Sequence, residues 1–127
     1  MRWFWQKKRS VLSRADLRKL LFRAFNGWAG TVLDSEYRLL FDEKDFLRLC
    51  PRVREWSKDF DCNRQVAEVF GKIQGFSVGA AIVPWGDGSV NHALLVCVFE
   101  GGRIKLFDVN ERKFYSTAGK ILVLLWM

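Results

Sequence analysis

Residues 61–110 read DCNRQVAEVFGKIQGFSVGAAIVPWGDGSVNHALLVCVFEGGRIKLFDVN, and the spacing of the apolar residues changes midway. Val66, Val69, Phe70 and Ile73 stand three and four apart, which predicts one apolar stripe on a helix over 61–74, ended by Gly75. From residue 76 the helical period is gone. The stretches 76–83, 92–99 and 103–108 are apolar and β-rich and predict strands. Trp85-Gly86-Asp87-Gly88 supplies a turn between the first two, and Glu100-Gly101-Gly102 a tight turn between the last two.

Upstream, Val11, Leu12, Leu17, Leu20, Leu21, Phe22 and Phe25 predict an amphipathic helix over 10–26. Ser13 with Asp16 three residues on resembles a capping box, so the regular helix is expected to start there and to stop at Gly27. Residues 34–40 predict a turn or extended piece. Residues 42–50 predict a short helix with acids at its start, closed by Pro51. Downstream, 112–115 and 121–126 predict further short strands. Helices first and strands after imply an α+β fold, N-terminal helices on a C-terminal antiparallel sheet. A length of 127 residues, half of them hydrophobic, suits a single domain over 1–127 with ample core material.

The net charge of +7 is unevenly placed. Residues 1–23 hold eight basic side chains and one acid, Asp16, whereas the remainder holds 13 of each sign and is neutral. A basic arm and helix over 1–26 therefore precede a core over 34–126. Arg2, Lys7, Lys8, Arg9 and Arg14 are candidates to meet an acidic protein or nucleic acid, with Trp3, Phe4 and Trp5 beside them. The N-terminus lacks a secretory apolar run, and the longest apolar tract, 121–127, is far too short to span a bilayer. A soluble, cytoplasmic protein is expected, with no transmembrane segment.

Three cysteines without a C-x-x-C pair argue against a disulfide framework and a zinc site, and no cofactor or metal is expected. Cys50 ends an apolar run and Cys97 lies in a buried-strand pattern, where cysteine acts as a small hydrophobe. Cys62 instead stands at the predicted start of a helix, where unpaired N–H groups favour a thiolate. His92, the single histidine, stands where a turn enters a strand. A three-residue loop places His92 across from Asn110, with Asp108 two residues along on the same face; either is placed to orient the imidazole. Cysteine, histidine and acid in that order are the components of acyl transfer through a thioester.

The segments Phe60-Asp61-Cys62-Asn63, Asn91-His92-Ala93-Leu94 and 104–110, with Leu33-Asp34-Ser35-Glu36-Tyr37 upstream, together resemble the papain-like (transglutaminase-like) cysteine-hydrolase domain found at the C-terminus of a fungal galactose-binding agglutinin and in small phage and bacterial proteins. The resemblance spans about residues 34–126. It implies Cys62 as nucleophile, His92 as general base and Asp108 as orienting acid, with Asn110 where the family has Gln. The acids that usually follow the cysteine are replaced by Asn63-Arg64. The implied function is a peptidase, isopeptidase or amidase acting on an unknown peptide or protein in a bacterial or phage-infected cell. The alternative is a catalytically silent, phage-type interaction protein that binds a host protein or nucleic acid through its basic N-terminal region.

Overall fold

The computed structural model describes residues 8–25, 29–85, 90–117 and 123–126. Strand β1 (Val11–Ser13) leads into helix α1 (Arg14–Ala24), then β2 (Ala29–Val32), β3 (Glu36–Arg38), α2 (Glu43–Leu49) and α3 (Cys62–Lys72). Strands β4 (Val78–Trp85), β5 (Val90–Phe99), β6 (Arg103–Asp108), β7 (Lys113–Tyr115) and β8 (Val123–Trp126) complete the order. The α+β expectation stands.

Each helix starts at a side-chain cap, which satisfies one otherwise orphaned N–H. The Ser13 hydroxyl accepts from the Asp16 N–H at 3.1 Å, Asp42 from Asp45 N–H at 2.9 Å and Asp61 from Arg64 N–H at 3.2 Å. The cap at Ser13 also corrects the expected helix over 10–26. Val11 and Leu12 precede the cap, are extended, and pair antiparallel with Arg38 and Tyr37. Gly27, the expected stop, lies outside the described residues, as do Gly86, Asp87 and Gly88 of the predicted turn.

The main sheet runs β2-β8-β4-β5-β6-β7. Its neighbours pair antiparallel except β2 and β8, which are parallel, so the expected purely antiparallel sheet carries one parallel edge. The β5–β6 turn has two glycines in left-handed conformation, Gly101 (φ 84°) and Gly102 (φ 80°), where a side chain would be strained. They close a three-residue loop that sets Phe99 opposite Arg103 and Leu95 opposite Phe107.

Strand β5 is buried on both faces, and its two-residue period divides the core. Leu94, Val96 and Val98 join Leu17 and Leu21 of α1, Leu106 and Trp126 in one cluster. Ala93, Leu95, Cys97 and Phe99 join Phe46 of α2, Val66, Val69 and Phe70 of α3, and Phe107 in the other. Helix α1 thus covers one face of the sheet, and α2 and α3 cover the other. No helix among the described residues is long and apolar enough to cross a membrane.

Candidate functional site

Cys62 is the first residue of α3, half-buried, and packs against the α2–α3 cluster. His92 lies near the start of β5 and Asp108 ends β6. His92 Nε2 and Asp108 Oδ2 are 2.7 Å apart, with side chains 18% and 4% exposed. Burial pushes the Asp108 carboxyl up, but the His92 hydrogen bond, the Glu111 N–H and the Asn110 N–H outweigh it and hold the carboxyl below its usual value. Asp108 is therefore ionised at neutral pH and accepts, which assigns the proton to Nε2 of the imidazole.

By strand parity His92 goes with Leu94 and Val96, and Asp108 with Leu106, residues that join the cluster under α1. Helix α3 and Cys62 pack in the other cluster, with Ala93, Leu95 and Phe107. Among the described residues Cys62 makes no hydrogen bond to His92.

Asn110, expected across from His92, turns elsewhere because the β5–β6 ladder ends before it. Its Oδ1 accepts from Gln65 Nε2 at 2.9 Å and from the Trp56 backbone N–H at 3.1 Å. Gln65 Nε2 also donates to the Arg54 carbonyl at 3.1 Å. These bonds tie α3, the 52–56 segment and the β6–β7 turn around a cleft of about 250 Å³, lined by Arg52, Arg54, Glu55, Gln65, Asn110 and Arg112 among others. Trp56, at its edge in the chain, is 56% exposed. Gln65 is 1% exposed, and its Oε1 is buried without a hydrogen-bond partner. A buried acceptor in that state costs about 1–3 kcal/mol. Arg112 has φ 53°, a left-handed conformation uncommon for a residue with a side chain, and its guanidinium donates to the Pro51 carbonyl at 3.3 Å. A second groove, of about 240 Å³, lies between α3 and the β4–β5 pair; Val66, Phe70, Ala80, Ile82 and Ala93 make it apolar, with Asn63 as its polar member.

The His92–Asp108 pair acts on the cleft from behind. Asp108 Oδ1 accepts from the Glu111 N–H at 3.0 Å, pinning the turn that presents Asn110 and Arg112. Gln65, Arg54, Trp56 and Arg112 were not singled out by sequence reading. One signal existed: Gln65 is a polar side chain beside the apolar stripe of α3, where a buried amide needs partners. Among the described residues no three His, Cys, Asp or Glu side chains cluster as a metal site would require.

No protein-family model and no curated protein matches the chain. Solved structures do. A PSL1a–E64 complex superposes with a TM-score of 0.70 at 17% identity, over 91% of this chain and 51% of that chain. The Polyporus squamosus lectin bound to the human-type influenza-binding epitope Neu5Aca2-6Galb1-4GlcNAc superposes with a TM-score of 0.69 at 17% identity, over 91% and 49%. The likeness is one of fold, and this chain spans about half the length of those chains.

These findings correct the expected family and function. The chains that share the fold are those of a lectin, so the reading as a papain-like cysteine hydrolase or thiol protease does not stand. The likeness to an agglutinin is matched only in that the neighbour is itself a lectin. The alternative, an interaction protein binding a host protein or nucleic acid through its basic N-terminal region, gains no support either. Arg9 is held by Asp45 and the Leu39 carbonyl, and Arg14 donates to the Leu33 carbonyl. Lys8 is exposed, while Arg2 and Lys7 lie outside the described residues.

Proposed function

We propose that this chain is a carbohydrate-binding domain, one unit over residues 1–127, whose saccharide occupies the cleft between the 52–56 segment and the β6–β7 turn. The observation that carries the reading is a polar cleft in which Asn110 accepts from Gln65 and from the backbone N–H of Trp56, whose exposed indole follows the cleft-lining Glu55 in the chain. Sugars offer an apolar C–H face and a fringe of paired hydroxyls. An exposed indole receives the former, and planar amide, guanidinium and carboxylate groups receive the latter. The partnerless Gln65 Oε1 is an acceptor that a ligand hydroxyl would satisfy. The fold shared with a lectin supports the same class of ligand.

In this reading Asn110 is a binding residue, while His92 and Asp108 are positioning residues that hold its turn. The test is a glycan array followed by isothermal titration of the best binders. Trp56→Ala and Asn110→Ala are each expected to weaken binding about tenfold or more, the loss of one stacking or hydrogen-bonding anchor, with an unchanged circular dichroism spectrum. Absence of saccharide binding to the unmodified chain, or binding indifferent to both substitutions, overturns the proposal.

A further inference from the structure

The electrostatics of the cleft point past the class of ligand to its charge. Three guanidiniums, Arg52, Arg54 and Arg112, line it against one carboxylate, Glu55. Two of the three are pre-ordered. The Arg54 guanidinium lies over the Phe60 ring, 4.1 Å from its centroid, and Phe60 is itself buried. Arg112 is fixed by the Pro51 and Leu47 carbonyls and the Cys50 sulfur, so it contributes charge to the cleft and its N–H groups are already engaged. Stacking occupies the face of the Arg54 guanidinium. Its in-plane N–H edge makes no hydrogen bond or ion pair among the described residues, and neither does Arg52. A planar fork already fixed in place loses little entropy on taking a bidentate acid.

The site has a second demand. Gln65 Oε1 is an acceptor, and it is buried without a donor. A simple anion has only acceptors and would leave this oxygen unsatisfied. A ligand that carries both a carboxylate and hydroxyl groups meets both conditions: its acid accepts from Arg54 and Arg52, and a hydroxyl donates to Gln65.

We infer that the cleft selects an acidic saccharide, one bearing a carboxylate beside its hydroxyls, over its neutral counterpart. This rests on the reading of the cleft as a sugar site. The test is a titration of the isotopically labelled chain with methyl β-D-glucuronide and, separately, methyl β-D-glucoside, followed by two-dimensional NMR at the Trp56 indole and backbone signals. These ligands differ in one carboxylate, and the method registers millimolar binding.

The glucuronide is expected to bind about tenfold more tightly in dilute buffer, the contribution of one charge-assisted pair. Raising the salt is expected to narrow that margin. In Arg54→Gln, which keeps an apolar stem and an amide on an exposed residue, the ratio of glucuronide to glucoside affinity is expected to fall to about one. Gln65→Leu is expected to weaken both sugars alike. Equal affinity for acid and neutral sugar overturns the inference and leaves sugar binding standing. Failure of both sugars to shift the Trp56 signals, with no binder on the glycan array, overturns the inference together with the reading beneath it.

Discussion

The three cysteines share a side chain and differ in surroundings, and this alone separates their chemistry. Cys97 is fully buried in β5, and burial drives its thiol pKa well up. Burial likewise pushes up Cys50, only partly opposed by Arg112. Cys62 is half-buried at a helix start. Iodoacetamide at neutral pH is expected to label Cys62 alone in the folded chain and all three cysteines in urea, as read by peptide mass spectrometry; early labelling of Cys97 would contradict the buried assignment. Asp108 gives a second prediction at this scale. It receives His92 and the Glu111 and Asn110 N–H groups, so Asp108→Ala removes the acceptor that holds the half-buried imidazole and the turn together. A loss of about 3 kcal/mol is expected in urea unfolding, with weakened saccharide binding because the Asn110 turn loosens. Retention of full stability would show that the pair holds nothing in place.

Among the elements, β4 has the least tolerance. It is flanked by β8 and β5, and its Gly79 faces the indole of Trp126, which is fully buried. A Cβ built at Gly79 would lie 2.2 Å from Trp126 Cε3 and 2.7 Å from two further ring atoms, separations that no packed side chain adopts. Gly79→Ala is therefore expected to cost about 2–3 kcal/mol in chemical unfolding by overpacking. Gly71, whose added Cβ would meet nothing within 4 Å on α3, is the matched control. There Gly→Ala is expected to be neutral or to stabilise by up to about 1 kcal/mol. Equal effects at both positions would refute the ring-on-glycine packing. The cap at Ser13 was legible in the sequence, because its hydroxyl acts on an N–H only three residues away; the matching caps at Asp42 and Asp61 emerged from the structure. The strand at Val11–Ser13 was not legible: its partner, Glu36–Arg38, lies more than 20 residues along the chain, and the apolar spacing of 11–25 fits a helix equally well.

Across the whole molecule, the excess of positive charge is partly committed inward. Arg9 forms a bidentate pair with Asp45, lies against the rings of Phe41 and Phe76, and donates to the Leu39 carbonyl, strapping the leading segment to the start of α2. The Arg9 hydrogen bonds lower the Asp45 carboxyl; burial opposes them, and the Phe41 N–H and Arg48 assist, leaving it near about 2. A carboxyl lowered on folding stabilises fully above its unfolded value and loses that contribution as pH falls through the folded value. Stability is therefore expected to hold above the ordinary carboxylate range and to fall from pH 3.8 toward about 2. Asp45→Asn is expected to remove about 2 kcal/mol from the neutral-pH stability and to flatten that acid limb in urea titrations at stepped pH. An acid limb unchanged by the substitution would exclude Asp45 as its source.

The sequence by itself determined that helices lie within 13–26, 42–50 and 61–74, that a tight turn joins the strands over 92–99 and 103–108, and that His92 comes close to Asp108. All of these follow from rules acting over a few residues or across one tight turn. It could not determine on which side of the sheet each chemical group would lie, nor that Asn110 would turn away from His92 toward Gln65 and Trp56. A strand period of two fixes which residues share a face, but not which helix covers that face. The packing of α1 on one side and α2 and α3 on the other divided the core, and the meeting of three distant segments made the polar cleft. Those choices depend on how the apolar surface of the entire chain is buried at once, and no local pattern contains that information.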